Sequence, residues 1–195
     1  MTGAAPTAPL ARRADGLEIS LDPARVDVDR VHHWLSDESY WAAGRSRDVV
    51  ERSLAGSMVA GVYAGPTAAA ELVGFARVVT DGATFAWICD VFVDEPWRGR
   101  GIASWLIAEL VEELLVRRQI LRLLLATRDA HAVYAKSGFE PLEGAWRWME
   151  IDHRPTRAAI MAGDPGGTGG SSSTGGTGGT DQTGTGQTGT AGTSR

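Results

Sequence analysis

Apolar residues recur at every fourth position from Ile102 through Leu106, Leu110 and Leu114, with Ala103, Ile107 and Val111 beside them and Glu109, Glu112 and Glu113 opposite. That period describes a helix with one buried face and one solvated face. Such a helix must pack on a partner, and the residues before it supply one. Met58 to Tyr63, Glu71 to Thr80 and Thr84 to Val93 are rich in β-branched and aromatic residues, and Gly65-Pro66 and Asp81-Gly82 separate them as turn signals. The three segments read as an antiparallel meander that feeds directly into the helix.

The rest of the chain extends the alternation. Leu17 to Leu21 reads as a short strand ended by Asp22-Pro23. Asp27 is placed to cap a helix over Val28 to Ser36, with Val28, Val31 and Leu35 on one face; Ser46 opens a second helix that buries Val49, Val50 and Leu54 and stops at Gly56. After the amphipathic helix, the apolar run Leu121 to Ala126 is too short for a helix and predicts a buried strand. Asp129 then caps a short helix to Ser137, Gly138 stops it, and Phe139 to Leu142 and Trp146 to Ile151 predict two final strands. The order β α α β β β α β α β β places the chain in the α/β (α+β) class.

Composition narrows the partners. A net charge of -5 leaves no basic surplus for phosphates, so no nucleic-acid partner is expected, and a cationic ligand is weakly favoured. Cys89 is the single cysteine, which excludes a disulfide framework and points to a reducing compartment. His32 and His33 are adjacent and cannot share a metal on a helix, so no metal site is indicated. The first fifteen residues lack the apolar core of a secretory signal and no stretch reaches membrane-spanning length, which predicts a cytoplasmic protein with no membrane partner. From Gly163 to Arg195 the chain is almost entirely Gly, Thr, Ser and Gln, a composition that buries too little apolar surface to offset its ordering entropy. The expected organisation is a flexible tail over 1–15, one folded domain over 16–154 and a flexible Gly/Thr/Ser-rich tail over 155–195.

The chemistry concentrates where the third meander strand meets the helix, at Arg98-Gly99-Arg100-Gly101-Ile102-Ala103. Glycines let the backbone turn sharply and approach a ligand, so that successive N–H groups at the positive end of a helix converge on an anion. A lone Gly-x-Gly is more often an ordinary tight turn at a helix start. A dinucleotide-binding turn is disfavoured because Ser104 stands where a third glycine is needed and no acidic residue ends the next strand.

Two motifs together carry a resemblance. Arg98 to Ala103 resembles the pyrophosphate loop of the GNAT (GCN5-related N-acetyltransferase) superfamily, written Arg/Gln-x-x-Gly-x-Gly/Ala. The stretch DAHAVYAKSGFEPL resembles the second signature of that family, in which a helix presents a tyrosine, here Tyr134, before a Gly-Phe turn, here Gly138-Phe139. The resemblance covers roughly Leu17 to Ile151. It implies a mixed, mostly antiparallel central sheet, splayed at the cofactor site and flanked by helices, that binds acetyl-CoA and moves its acetyl group to an amine of a small molecule or protein. A non-catalytic acyl-CoA sensor or interaction module on the same fold is the alternative.

On the resemblance, the main chain of Val91, Phe92 and Val93 lines the pantetheine arm, and Arg98, Gly99, Arg100, Gly101, Ile102 and Ala103 hold the diphosphate. Thr127, in place of the Asn that often begins the second signature, joins Ala130 and Lys136 as cofactor-binding positions. Tyr134 matches the general acid; a phenol of ordinary pKa about 10 can protonate a thiolate of about 8.5. Asp90, a charge inside the apolar run FAWICDVFV, is the expected base, with a pair to Arg77 as its structural alternative and Asp129 and His131 as rivals. Glu38, Tyr40 and Trp41 are the expected acceptor site, where carboxylate and ring faces suit a cationic amine; plugging of the core by the two rings is the alternative. Trp146 and Trp148 alternate along the last expected strand, as core or as a patch through which a homodimer could form.

Overall fold

The computed structural model describes residues 8–152. The chain divides into two units, Met1–Glu150 and Ile151–Arg195; the fold and the cleft below belong to the first, and of the second only Ile151 and Asp152 are described. The tail expected over 155–195 and the first seven residues of the tail expected over 1–15 lie outside the described residues.

Six strands form one sheet in chain order: β1 (Ala11–Arg12), β2 (Glu18–Ser20), β3 (Met58–Tyr63), β4 (Leu72–Thr80), β5 (Ala86–Val93) and β6 (Leu123–Leu124). Neighbours are antiparallel except β5 and β6, which run parallel. The helices are α1 (Val28–His33), α2 (Arg47–Ala55), α3 (Ile102–Val111) and α4 (His131–Ala135). Wide π-type turns continue α1 over Trp34–Glu38 and α3 over Glu112–Arg117.

Both faces of the sheet are covered, which is why its strands read as continuous apolar runs. On one face Ile102, Leu106, Ile107, Leu110 and Leu114 pack against Ala60, Val62, Val73, Ala76, Val78, Ala86 and Ile88. On the other, Val31, Trp34 and Leu35 of the α1 segment and Val50 of α2 cover Val59, Tyr63, Phe75 and Phe92. Trp34 is buried and stacks on Phe92 with ring centroids 5.1 Å apart. Trp34→Ala is expected to cost about 3–5 kcal/mol, because the cavity it leaves between helix and sheet closes only partly; chemical denaturation measures this.

The bulge in β5 decides what the sheet offers a ligand. Phe75 pairs with Phe92 but Arg77 pairs with Cys89, so the single residue Ala76 faces both Asp90 and Val91. Asp90 adopts φ +52, in the left-handed region that few residues besides glycine enter and that aspartate tolerates better than most. The extra residue shifts the alternation by one position. Ala86 and Ile88 face α3 before the bulge; after it Val91 and Val93 face α3 and Phe92 turns to the α1 side.

Several sequence expectations are corrected. Ala11–Arg12, assigned to the N-terminal tail, pairs with β2 as an edge strand. Asp129 does not cap α4; instead Thr127 Oγ1 accepts from the Ala130 N–H at 3.0 Å. No strand forms over Phe139–Leu142 or Trp146–Ile151. Gly144 at φ +69 leads into a 3-10 turn in which Arg147 donates to Gly144 and Trp148 to Ala145, local bonds that compete with a ladder. Trp146 is left 81% exposed, so the paired core role read from its alternation with Trp148 is not realised.

Candidate active site

The parallel pair β5·β6 opens almost at once. It is joined at Ala86↔Leu123 and Trp87↔Leu124, after which β6 ends and β5 continues to Val93 with no strand beside it on that side among the described residues. The Asp94 N–H bonds the Val73 carbonyl across β4, so by strand alternation Val93 turns its main chain the other way, toward the gap. Arg98 Nε donates to the Val93 carbonyl at 2.8 Å and draws the following loop back against this edge.

That loop ends in two glycines with left-handed backbone, Gly99 at φ +76 and Gly101 at φ +73. A residue with a Cβ pays for this conformation, and a β-branched one pays most. Gly101 is the N-cap of α3, and no side chain caps the helix. The amides of its first turn therefore point out of the helix without a side-chain acceptor, and the helix dipole adds positive potential at the same place. Arg13 donates to the Arg100 carbonyl at 3.2 Å, tying the loop to the segment that carries β1.

A cleft of about 620 Å³ runs from this turn along the uncovered edge of β5. Its walls bring together Val91, Phe92, Val93, Arg98, Gly99, Gly101, Ile102, Ala103, Ala130 and Tyr134 with Glu38, Tyr40 and Trp41. Trp97, Ser104, Asp129 and Val133 complete it. Asp129 was weighed as a rival base; Trp97, Ser104 and Val133 were missed as cleft residues by sequence reasoning. Ser104 and Val133 stand one turn along helices already identified, so helical spacing was the signal available for them.

Three expected cofactor positions lie elsewhere. Arg100 rests its guanidinium 4.7 Å from the Trp97 ring and bonds the Pro96 carbonyl. Thr127 is used locally in the bond to Ala130 and lines a second cavity, of about 890 Å³, on which Tyr134 also borders. Lys136 is exposed and lines neither space.

Tyr134 is half-buried on α4, with its ring edge-on to Phe139 at 6.1 Å. Burial, and secondarily Tyr40 and Asp129, raise its phenol above the ordinary value, so the hydroxyl keeps its proton at neutral pH. Among the described residues its hydroxyl has no hydrogen-bond partner, which leaves it available to a ligand.

Asp90 is arranged differently. Its carboxylate is buried, accepts from Arg77 Nε at 2.8 Å and from Arg45 Nη1 at 2.9 Å, and does not line the cleft. Arg45 is thereby a structural residue, and Asp90 takes the ion-pair role that was the alternative to catalysis. Asp90→Asn is expected to cost about 3 kcal/mol of stability, because two guanidinium groups lose their buried anion, and to leave the pH dependence of activity unchanged. Denaturant midpoints and a pH-rate profile check the two halves.

On the same cleft wall, Tyr40 meets Trp41 edge-on at 5.0 Å. The Arg128 guanidinium already lies 3.7 Å from the Tyr40 ring centre, so that ring face is not open to an ammonium group as the sequence suggested. Glu38 remains as a cleft carboxylate, 3.2 Å from His33 Nε2 and 4.0 Å from Arg98. Cys89 is no rival nucleophile: burial pushes its thiol up to about 11.

Among the described residues no group of three or more His, Cys, Asp or Glu could hold a metal ion, and no helix is long and apolar enough to cross a membrane.

Comparison with known proteins places this geometry. The acetyltransferase (GNAT) domain profile matches residues 61–141, from β3 through α4. A Gibberella zeae protein named as an acetyltransferase is 30% identical over 163 residues, spanning 76% of this chain and 89% of its own. A Xanthomonas campestris crystal structure assigned to the GNAT family is 33% identical, with a TM-score of 0.61, covering 70% of this chain and 92% of the other. A Staphylococcus aureus protein of unknown function, 21% identical, shares the fold with a TM-score of 0.53 over 70% of this chain and 99% of its own.

Proposed function

This chain belongs to the GNAT acetyltransferase family, and from that premise we propose that it moves an acetyl group from acetyl-CoA to the amine of a small molecule or a protein. The observation that carries the reading is the continuity of one cleft from the uncapped first turn of α3, past the open edge of β5, to Tyr134.

Each part answers a requirement of the reaction. The diphosphate of coenzyme A is an anion that the amides after Gly101 can accept without a side chain. The pantetheine arm carries amides, which match the main-chain groups of Val91 and Val93 in the way an added strand matches a sheet edge. The thioester then lies toward Tyr134. Attack of a neutral amine on its carbonyl forms the C–N bond, collapse of the tetrahedral intermediate breaks the C–S bond, and the Tyr134 phenol gives its proton to the departing thiolate. Glu38, on the cleft wall 4.0 Å from Arg98, provides negative charge where a cationic acceptor arrives.

The direct test is release of coenzyme A thiol from acetyl-CoA across a panel of primary amines and lysine peptides. Amine-dependent release supports the reading; acetyl-CoA binding with no release for any acceptor rejects it in favour of a binding module.

A further inference from the structure

Three side chains at the end of α1 link the cleft to solvent. His33 is the last residue of α1, and the π-type turn that follows brings residues four and five positions on back toward its ring. Nδ1 of His33 lies 2.7 Å from Asp37 Oδ2, and Nε2 lies 3.2 Å from Glu38 Oε1. Asp37 and His33 are largely exposed, whereas Glu38 is partly covered and lines the cleft that holds Tyr134. As surface ion pairs these contacts add little stability. Their arrangement is that of a carboxylate, an imidazole and a second carboxylate in line, the inner one facing the reaction space.

We propose that Glu38 is the base that deprotonates the ammonium form of the acceptor, and that His33, oriented by Asp37, is the positioning residue that passes this proton on to solvent. The proposal rests on the acetyl-transfer reading above and assigns it a base in place of Asp90. One ammonium proton moves to the Glu38 carboxylate, and the freed lone pair forms the C–N bond. Glu38 hands the proton to Nε2 of neutral His33, and the exposed imidazolium releases a proton to water. The second amine proton, shed as the amide forms, restores the phenol of Tyr134 after its proton has gone to the thiolate.

The groups facing this relay are Asp37 and Glu38 on the turn, His32 on α1 with its Nε2 toward the Arg45 carbonyl, and Arg98, 4.0 Å from Glu38. From α2, Arg47 is engaged by Asp29. The His33 contact holds the Asp37 carboxyl below its ordinary range. The relay requires His33 in its neutral form, which makes kcat/KM for an amine rise with pH.

The test uses the full chain with benzylamine as the probe acceptor. Relative to wild type, His33→Asn is expected to lower kcat/KM for benzylamine about 10-fold or more, to flatten its rise with pH, and to leave the acetyl-CoA KM unchanged. Glu38→Gln should lower kcat by at least as much. A His33→Asn pH profile superimposable on wild type, or a Glu38→Gln variant with wild-type kcat and only a raised benzylamine KM, overturns the proposal. Calorimetry with acetyl-CoA separates the two levels, since absent binding in wild type rejects the underlying reading, whereas binding with an unaltered His33→Asn profile rejects the relay alone.

Discussion

Gly101→Val is expected to weaken acetyl-CoA binding about 100-fold or more while leaving the domain folded. At φ +73 a side chain costs about 1–2 kcal/mol, and a β-branched one strains the turn further. If the turn relaxes to a negative φ, the amides that follow it swing away from the anion, and each charge-assisted hydrogen bond lost is worth about 1.5–3 kcal/mol. Two such losses reach the predicted factor at about 1.4 kcal/mol per decade. A Cβ at Gly101 meets nothing within 4 Å, so crowding of the core is not the cause and circular dichroism should show native helix content. Gly101→Asn provides the control. Asparagine enters the left-handed region more readily than other side chains, and this variant should recover a large part of the lost affinity in calorimetry.

Tyr134→Phe should have the complementary effect. Its hydroxyl is available in the cleft, and removing a general acid costs about 10²- to 10⁴-fold in turnover. The phenylalanine ring preserves the packing against Phe139, so affinity for acetyl-CoA should hold. The pH dependence follows from burial. Because the folded protein raises the phenol above its ordinary value near 10, the acid form persists through that pH, and the alkaline fall in wild-type activity should lie above it. Stopped-flow thiol release in both proteins measures the loss, and a pH series locates the limb.

The parts of this fold that were legible in the sequence are those in which a local pattern has one solution. The four-residue period from Ile102 to Leu114 predicts a one-sided helix, which forms except that Glu113, past Val111 in the wide turn, is buried; the turn signals at Asp81-Gly82 predict a reversal between two strands, which forms as the connection over 81–85 between β4 and β5. Asp27 caps α1 through its bond to the Arg30 N–H, again a local rule.

The failures occur where the outcome depends on partners distant in sequence. Asp90 drew notice as a charge in an apolar strand, yet the sequence carries no sign of the bulge that turns it toward Arg77 and Arg45, because a bulge exists only relative to the register of the neighbouring strand. Trp146 and Trp148 alternate as strand residues do, but a strand needs an edge to pair with, and the local turn after Gly144 competes for the same amides. The cleft itself was half legible. Its glycine turn and Tyr134 lie in contiguous motifs, whereas the occupation of the Tyr40 ring face by Arg128 is a tertiary contact that no spacing announces.

The most direct test combines a ligand truncation with a variant of the turn. Calorimetric titration of the full chain with coenzyme A and with pantetheine, which lacks the 3′-phosphoadenosine diphosphate portion, measures what that portion contributes, and the same pair of titrations on Gly101→Val isolates the share of the amides after Gly101. Coenzyme A should bind at least 100-fold more tightly than pantetheine, with the difference lost in Gly101→Val. Equal affinities for the two ligands, or an undiminished difference in that variant, would contradict the assignment of this turn as the diphosphate site.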